Sequence, residues 1–314
     1  MSTYLITGIA GFIGSSIARE LVRRGERVRG IDNFSTGKPE NLVLISSAID
    51  FREVDLLDMR GVSEACQGVD YVIHQAALPS VPRSIADPLS CNRSNVDGTL
   101  NLLVAARDAR VRRIVSASSS SVYGDTPHLL KSEDLTPNPI SPYAVSKLAG
   151  EYYMRSFHAV YGVETVSLRY FNVFGPYQDP KSMYTGVMAI FIPKMLRQER
   201  PTIYGDGEQS RDFTYIDNVV AGNLLAASAP AEKVAGQMMN LATATRCTLN
   251  QTFAILRELI GYKGEPTYAE ARAGDIKDSL ADIERAKKLL GYEPKVDFRE
   301  GLRRTVEWYK GIPA

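Results

Sequence analysis

Short runs of β-branched residues alternate with helical patterns over the first 170 residues, and this alternation constrains the fold more than any other feature. After the first run, Ile13, Ile17 and Leu21 share one helical face, and Gly25 is positioned to end the helix. Such alternation is typical of βαβ units around a parallel sheet. We predict strands at Tyr4–Thr7, Val28–Ile31, Phe51–Val54, Val69–His74, Arg113–Ser118 and Thr165–Tyr170, and further helices at Asn95–Ala109 and Pro142–Tyr161.

The alternation stops after Asn172, which predicts a second, smaller lobe. Residues 172–204 and 245–314 carry more Pro, Gly and Tyr, whereas Arg211–Ala227 resembles a return to the main sheet and helix layer. The sequence therefore predicts an α/β, Rossmann-type doubly wound parallel sheet with an interleaved lobe. The larger domain is expected at 1–171 plus about 205–244, and the smaller at about 172–204 plus 245–314.

Composition argues against several classes of partner. The net charge is +1, so bulk electrostatics predict neither nucleic acid nor a membrane surface as a partner. No apolar run approaches the roughly 18–20 residues that span a bilayer. Cys66, Cys91 and Cys247 are odd in number and scattered, and the histidines show no ligand spacing, so we expect no disulfide framework and no metal site. Because the N-terminus enters a strand without a leader pattern, we expect the reducing cytosol.

A glycine pattern follows the first predicted strand. Gly8, Gly11 and Gly14 lie in the turn that leads into the first helix. Glycine permits a tight turn and lets backbone N–H groups approach a pyrophosphate at the helix N-terminus. The pattern therefore predicts a dinucleotide site, and the alternative is a glycine-rich turn that binds nothing.

Asp32 ends the second predicted strand, where a carboxylate can accept both ribose hydroxyls of NAD and repel the 2′-phosphate of NADP. Lys38 and Arg29 are nearby cations that would weaken this preference. The alternative for Asp32 is a turn-forming residue. Asp55-Leu56 follows the third strand and is expected to reach the adenine, unless Asp55 only ends a strand in solvent.

Ser141-Pro142-Tyr143 begins a predicted helix and is the most informative segment. Ser141 suits the N-cap and Pro142 the first helical position, so Tyr143 lies in the first turn and Lys147 follows one turn later. A phenol with a pKa near 10 needs positive charge beside it to act as a base. Tyr143 is the predicted base, assisted by Lys147. The alternative for the isolated spacing is a surface tyrosine beside a solvated lysine.

A run of serines, Ser116 and Ser118–Ser121, closes the fifth predicted strand. Hydroxyls at the carboxyl edge of a parallel sheet lie where ligands bind in such folds. One of them is expected to share the substrate proton with Tyr143, although residue chemistry alone leaves open which one, and also a flexible loop.

With these features together, the chain resembles the extended short-chain dehydrogenases/reductases, and within them the UDP-hexose 4-epimerases, over essentially its whole length. The resemblance rests on the glycine turn, Tyr143/Lys147 and several further motifs. These motifs are Asp32-Asn33, His74–Ala77, Asn95–Thr99, Ser119–Gly124, Leu168–Gly175, Gly205–Gly207, Arg211–Phe213, Arg272–Asp275 and Ser279–Asp282.

The resemblance implies a tightly bound NAD in the larger domain, regenerated in each turnover, and a UDP-sugar in the smaller lobe. Ser119 matches the catalytic serine beside Tyr143 and Lys147. The implied NAD contacts are Gly8, Gly11, Phe12, Ile13, Gly14, Asp32, Asn33, Asp55, Leu56, Gln75, Ala76, Ala77, Asn95, Tyr143, Lys147 and Tyr170. The implied substrate contacts are Ser80, Ser120, Asn172, Gln178, Gly186, Tyr204, Arg211, Arg272, Asp275 and Ser279, with Asn172, Arg211 and Arg272 on the diphosphate and Asp275 on the uridine ribose.

The same resemblance refines the substrate. Where relatives restricted to glucose and galactose carry a bulky tyrosine, this chain has Ser279, which leaves room for a 2-N-acetyl group. Ser120, Gln178 and Gly186 also match the branch that handles UDP-N-acetylhexosamines. Pro79 departs from that branch, which has glycine there, and stiffens a pocket wall. The expected reaction is interconversion of UDP-GlcNAc with UDP-GalNAc and of UDP-Glc with UDP-Gal through a 4-keto intermediate.

Three other functions compete with this expectation. A UDP-glucuronate epimerase or decarboxylase is the main alternative, but relatives acting on glucuronate tend to have arginine at the position of Asp179. A 4,6-dehydratase is disfavoured because Ser120-Ser121 replaces an Asp-Glu pair. A non-enzymatic NAD-binding protein would lack Tyr143 or Lys147, and both are present.

The helices near 95–109 and 142–161 are expected to pair across a two-fold axis in a homodimer, as in relatives. Leu102 and Val104 are apolar positions that fit such an interface or the core equally well.

Overall fold

The computed structural model describes residues 1–179, 186–271 and 278–311. Its centre is a seven-stranded sheet in which every neighbouring pair is parallel. The strands are β1 (Thr3–Thr7), β2 (Arg27–Asp32), β3 (Ile49–Glu53), β4 (Tyr71–His74), β5 (Arg113–Ser119), β6 (Glu164–Tyr170) and β7 (Gln237–Leu241), in the spatial order β7-β6-β5-β4-β1-β2-β3. The predicted Rossmann-type fold is confirmed.

Helices cover both faces of this sheet. They are α1 (Phe12–Arg23), α2 (Met59–Cys66), α3 (Val81–Ala86), α4 (Pro88–Asn92), α5 (Gly98–Asp108), α6 (Pro142–Tyr161), α7 (Val187–Leu196), α8 (Ile216–Ser228), α9 (Ala231–Val234), α10 (Leu249–Ile260), α11 (Glu284–Leu290) and α12 (Phe298–Lys310). Segments Pro39–Ala48 and Ser120–Tyr123 form 3₁₀ helices, and Arg93–Asp97 forms a π turn between α4 and α5.

Alternation along β1 divides the core into two layers. Ile6 packs with Ile17 and Leu21 of α1 on one face, and Leu5 packs with Leu102 of α5 and the α2 and α6 side chains on the other. A parallel strand buried on both faces is rich in apolar residues, as β1 is at its centre, Tyr4–Ile6. Leu102 is fully buried, so it belongs to the core rather than to an exposed interface.

The six predicted strands and the helix Pro142–Tyr161 are confirmed, with strand ends shifted by up to two residues. The prediction for Arg211–Ala227 was wrong in one respect. Ser210–Arg211 and Thr214–Tyr215 pair with short segments outside the main sheet, and only α8 packs against it. The chain rejoins the sheet later, at β7, which pairs with β6.

Outside the seven-stranded sheet, the described residues form short two-stranded pairs. These pairs are Leu130–Lys131 with Leu280–Ala281, Val173–Phe174 with Thr214–Tyr215, Thr202–Tyr204 with Thr267–Ala269, and Ser210–Arg211 with Cys247–Thr248. The division at about 205 and 244 stays a prediction. None of the helices within the described ranges is both long and apolar enough to cross a bilayer.

Candidate active site

The glycine turn between β1 and α1 is closed too tightly for any larger residue. A Cβ at Gly14 would lie 2.2 Å from the Gly8 carbonyl oxygen, and one at Gly8 would lie 2.7 Å from the Ala76 nitrogen. Gly8 also has a φ of +68°, in the region that favours glycine. The first N–H groups of a helix lack acceptors within it, and those of Phe12 and Ile13 open α1 immediately beyond this turn.

Asp32 ends β2 beside the glycine turn. Its carboxylate accepts hydrogen bonds from the N–H groups of Ala10, at 2.9 Å, and Phe34, at 2.8 Å. Burial raises the pKa of Asp32, and these two hydrogen bonds oppose that rise. The carboxylate is therefore anchored at the carboxyl edge of the sheet, where a ribose is expected.

The two cations near Asp32 are both engaged with carboxylates. Lys38 Nζ lies 2.8 Å from Asp179 Oδ1, and Arg29 Nε lies 2.7 Å from Asp50 Oδ2. In these contacts each cation is paired with a carboxylate other than Asp32, and a carboxylate at the end of β2 favours NAD over NADP.

Asn33 and Asp55 contact each other at the ends of β2 and β3. Asn33 Nδ2 donates to Asp55 Oδ2 at 2.6 Å, and the Leu57 N–H donates to Asp55 Oδ1 at 2.8 Å. Leu56 is buried between them and the Gly98 end of α5. The predicted adenine-side residues therefore form one cluster.

Gln75 and Tyr170 form a hydrogen-bond network with Asn223, a residue that the sequence did not indicate. Gln75 Nε2 donates to the Tyr170 hydroxyl at 2.9 Å, and that hydroxyl donates to Asn223 Oδ1 of α8, also at 2.9 Å. Burial raises the pKa of Tyr170, so its hydroxyl keeps the proton that this network needs.

His74 is held in one tautomer behind Ala76. The Thr99 hydroxyl donates its proton to the Asn95 carbonyl, so the Thr99 oxygen must accept a hydrogen bond from His74 Nε2, at 2.9 Å. The other ring nitrogen, Nδ1, therefore accepts from the Thr7 hydroxyl at 2.7 Å. Burial lowers the pKa of His74 to about 3, with a further contribution from Lys147. His74 is therefore a neutral structural residue, and it supports the backbone of Ala76 and Ala77 through Thr7.

The Asn95 side chain contacts protein groups on both sides. Its Oδ1 accepts from the Leu78 N–H at 2.7 Å, and its Nδ2 donates to Ser146 Oγ at 3.0 Å. Asn95 sits in the π turn and is buried. Its expected NAD contact stays a prediction, and its observed contacts fix the loop after β4 to α6.

Tyr143 and Lys147 lie on one face of α6, as predicted. Ser141 caps the helix, since its Oγ accepts from the Ala144 N–H at 3.2 Å, and Pro142 occupies the first turn. Lys147 Nζ lies 6.0 Å from the centre of the Tyr143 ring and donates to the Ala117 carbonyl at 3.0 Å. This contact joins the pair to the carboxyl end of β5, where Ser119 follows.

Burial favours the neutral form of both groups in this pair. Burial raises the pKa of Tyr143 to about 12, while hydrogen bonding with Ser119 opposes the rise. Burial lowers the pKa of Lys147 to about 8, against opposing effects of Cys91 and Glu151. Tyr143 can therefore act as a base only when further positive charge lies beside it.

Ser80 and Ser84 accept hydrogen bonds from backbone N–H groups of α3 and α6, respectively. Ser80 Oγ accepts from the Arg83 N–H at 3.1 Å as the N-cap of α3, and Ser84 Oγ accepts from the Tyr143 N–H at 3.0 Å. Ser84 thus fixes the backbone of Tyr143, a role that its sequence position did not indicate. Ser120 begins the 3₁₀ turn after Ser119 and is partly exposed.

Several predicted substrate residues meet around Ser210–Asp212. Asn172 Nδ2 donates to the Asp212 carbonyl at 3.0 Å, Arg211 donates to the Ser210 carbonyl at 2.9 Å, and the Ser279 N–H donates to that same carbonyl at 3.1 Å. Asp212 is fully buried and accepts from the N–H groups of Thr243 and Ala281. This third missed residue fixes the segment that carries Arg211.

The remaining predicted substrate residues are Gln178, Gly186, Tyr204, Arg272 and Asp275. Gln178 lies against Gly186, and its carbonyl accepts from the Tyr309 hydroxyl at 2.9 Å. Tyr204 is 36% exposed at the end of a short strand. Arg272 and Asp275 lie outside the described residues.

The chain is similar to known proteins over nearly its whole length. The pattern of the NAD dependent epimerase/dehydratase family matches residues 4–242. The chain is 39% identical over 309 residues to the putative UDP-glucose 4-epimerase of Methanocaldococcus jannaschii, and 98% of each chain is covered. It also superposes on UDP-N-acetylglucosamine 4-epimerase of Methanobrevibacter ruminantium, in complex with UDP-N-acetylmuramic acid, with a TM-score of 0.94, 40% identity and 98% coverage of both chains.

A third similar structure carries both a cofactor and a different sugar. It is UDP-glucuronic acid 4-epimerase of Bacillus cereus in complex with UDP-glucuronic acid and NAD. Its TM-score is 0.90 at 33% identity, over 98% of this chain and 99% of that one.

Proposed function

The chain belongs to the NAD dependent epimerase/dehydratase family, and from this premise we propose that it is a UDP-hexose 4-epimerase, an isomerase. The observation that carries the proposal is the placement of Tyr143 and Lys147 on one face of α6, against the carboxyl end of β5 that bears Ser119. Related proteins over the full chain length are 4-epimerases of UDP-sugars.

The residues of the larger domain fit NAD. Gly8 and Gly14 leave space that a Cβ would fill, beside the N-terminus of α1 where a pyrophosphate is stabilised. Asp32 supplies the acceptor for the ribose hydroxyls. The adenine side is formed by Asn33, Asp55 and Leu56. The residues that surround Tyr143 and Lys147 are Gln75, Ala76, Ala77, Asn95 and Tyr170. When bound, oxidised NAD supplies a reversible hydride acceptor for sugar C4 and a positive ring beside the phenol.

Tyr143 then accepts the proton of the sugar 4-hydroxyl at its phenolic oxygen, and Ser119 shares that proton. Lys147 and the N-terminus of α6 stabilise the phenolate. Tyr143 holds the proton while the 4-keto sugar turns, and it returns the proton when the opposite face of C4 is presented. Asn172 and Arg211 hold the diphosphate throughout, so the sugar turns without leaving the site.

Ser279 supports UDP-N-acetylhexosamines together with UDP-hexoses as substrates. It is small and buried, and its backbone is bonded to the segment that carries Arg211. A 2-N-acetyl group fits beside a serine where a tyrosine would exclude it. Interconversion of UDP-GlcNAc with UDP-GalNAc, and of UDP-Glc with UDP-Gal, is therefore the proposed reaction.

UDP-glucuronate 4-epimerase is the second candidate, favoured by the similar enzyme that binds UDP-glucuronic acid. A sugar carboxylate would need a cation or a cluster of hydroxyls. Asp179 is a carboxylate held by Lys38, and it lies next to Gln178, a proposed substrate residue. Because Lys38 is engaged by Asp179, and Asp179 itself supplies no cation, glucuronate is the weaker candidate.

One experiment separates these substrates. The purified protein is given UDP-GlcNAc, UDP-Glc or UDP-glucuronate in separate reactions, with no added NAD, and the C4 epimers are resolved by chromatography. We expect conversion of UDP-GlcNAc and UDP-Glc. Conversion of UDP-glucuronate alone would refute the proposed substrate, and no conversion of any would refute the proposed activity.

We also propose a cytoplasmic homodimer. Tyr152 and Val145 on α6 and Leu89 on α4 are 51–73% exposed, which supports pairing through the helices near 95–109 and 142–161. Val104 is partly buried against the core. All three cysteines are free thiols, which suits a reducing compartment.

A further inference from the structure

A buried carboxylate lies one helical turn beyond Lys147. Glu151 follows Lys147 by four residues on α6, so Tyr143, Lys147 and Glu151 occupy successive turns of one helix face. The Glu151 side chain is 3% exposed. The proposed reaction gives it no role, because both of its carboxylate oxygens are bonded within the protein.

Glu151 is bonded to two strands at once. Its Oε1 accepts from Ser118 Oγ of β5 at 2.5 Å and from Arg169 Nε of β6 at 2.8 Å, and its Oε2 accepts from the second Arg169 nitrogen at 2.7 Å. Arg169 is fully buried, and its guanidinium lies 4.7 Å from the centre of the Tyr123 ring.

Each of these partners immediately precedes a site residue in the chain. Ser118 precedes Ser119 on β5, Arg169 precedes Tyr170 on β6, and the two pairs lie in register, Ser118 opposite Arg169 and Ser119 opposite Tyr170. One carboxylate therefore joins three elements that each carry part of the site.

We propose that Glu151 is a positioning residue for the proposed epimerase, which holds Lys147 and Tyr143 in register with Ser119 and Tyr170 and keeps a negative charge behind the Lys147 ammonium. The expected effect of Glu151 on turnover rests on the proposed function. The expected effect of the Glu151 charge on the pKa of Lys147 does not depend on turnover and can be measured without it.

The sign of the electrostatic effect follows from the surroundings of Lys147. Among the described residues, the titratable groups around it are His74 of β4, Cys91 of α4, and Tyr143 and Glu151 of α6. Glu151 favours the ammonium form. Replacing Glu151 with glutamine removes that anion and leaves the Arg169 cation uncompensated, so the pKa of Lys147 falls.

The test compares Glu151→Gln with Glu164→Gln. Glu164 also bonds a buried arginine, Arg113, between the same two strands, with Glu164 Oε2 accepting from Arg113 Nε at 2.8 Å. That pair lies at the opposite end of β5 and β6, away from Ser119 and Tyr170. The control therefore breaks the same kind of contact without touching the site.

Two measurements are made on each protein. The first is the pH dependence of kcat and KM with the UDP-sugar that the wild type epimerises. The second is the titration of the Lys147 side chain by NMR of ¹³Cε-labelled lysine, assigned with Lys147→Arg, together with the melting temperature.

For Glu151→Gln we expect kcat to fall by about tenfold to a hundredfold with KM changed less than about twofold, since misplacement affects the reacting geometry more than binding. We expect the Lys147 titration and the alkaline limb of kcat to move down by about one pH unit or more. Glu164→Gln should lower the melting temperature while its kcat and its titration stay as in the wild type.

Ser118→Ala is the second variant, because Glu151→Gln leaves a buried charge unpaired and can prevent folding. It removes only one donor to Glu151 and should lower kcat severalfold without changing KM. The inference would be overturned if Ser118→Ala and a folded Glu151→Gln both kept the wild-type kcat and the wild-type Lys147 titration. It would also be overturned if Glu164→Gln lost as much kcat as Glu151→Gln. A Lys147 shift in a protein that epimerises no UDP-sugar would refute the proposed function and support the inference on Lys147.

Discussion

Replacing Gly14 with alanine should abolish tight dinucleotide binding while leaving most molecules folded. A Cβ at this position would lie 2.2 Å from the Gly8 carbonyl oxygen and 2.9 Å from the Gly8 carbonyl carbon, where ordinary contact begins near 3.4 Å. Both atoms belong to the backbone, so the turn itself must open, by roughly 1 Å. Such overpacking costs about 1–3 kcal/mol of stability.

The loss of binding should exceed the loss of stability. An opening of this size moves the N–H groups at the start of α1 away from hydrogen-bonding distance to a pyrophosphate. Each hydrogen bond to a charged acceptor contributes about 1.5–3 kcal/mol. Losing one or two of them weakens NAD binding by about tenfold to ten-thousandfold.

Gly25→Ala is the matched control, at the other end of the same helix. Gly25 has a φ of +76°, and a Cβ there meets nothing within 4 Å, so alanine brings backbone strain of about 1–2 kcal/mol without a clash. NAD affinity is measured by titration calorimetry and stability by urea unfolding. A folded Gly14→Ala protein with wild-type affinity, or an equal loss of affinity in Gly25→Ala, would refute the reasoning.

Two further predictions concern Asp32 and His74. Asp32→Asn should reduce the preference for NAD over NADP by at least about tenfold, because it removes the charge that repels the 2′-phosphate; equal preference in variant and wild type, by calorimetry, would contradict the role of Asp32. His74 has a pKa of about 3 in the folded protein against 6.5 as a free side chain. The unfolded chain therefore binds a proton between those values that the native protein does not, and stability should fall as pH decreases from 6.5, by up to about 1.4 kcal/mol per pH unit. Urea unfolding at several pH values should show a shallower decline in His74→Gln, and identical slopes would refute this linkage.

The sequence predicts the local parts of the site well. Ser141, Pro142, Tyr143 and Lys147 lie within seven residues, and helix capping and four-residue spacing determine their arrangement without any tertiary information. The glycine turn is local in the same sense. Both predictions depend only on neighbouring residues, and both agree with the structure.

Residues that act across strands could not be predicted in this way. The bond between Glu151 and Arg169 depends on the register of β5 against β6 and on how α6 packs over them. The contacts of Asp212 and Asn223 likewise join segments far apart in the chain. Arg169, a charged residue within the buried part of β6, was the signal that the sequence offered. Its partner could be found only from the fold.

The β7 strand was missed for a related reason. Its sequence, Gln237-Met238-Met239-Asn240-Leu241, lacks the β-branched residues that mark the other strands. It is a strand because it pairs with β6 and because Asn240 donates to the carbonyls of Lys131 and Asp282. Tertiary pairing therefore overrides its weak local preference.

The central claim is that the Tyr143 phenol moves the proton of the sugar hydroxyl, and Tyr143→Phe tests it most directly. Tyr268→Phe, at an exposed position outside α6, is the control. Epimerisation of UDP-GlcNAc and UDP-Glc is followed by chromatography, with NAD content and melting temperature measured in parallel. We predict that Tyr143→Phe retains NAD and stability but loses about 10²–10⁴-fold in kcat, while Tyr268→Phe behaves as wild type. Near-normal turnover in Tyr143→Phe would contradict the mechanism.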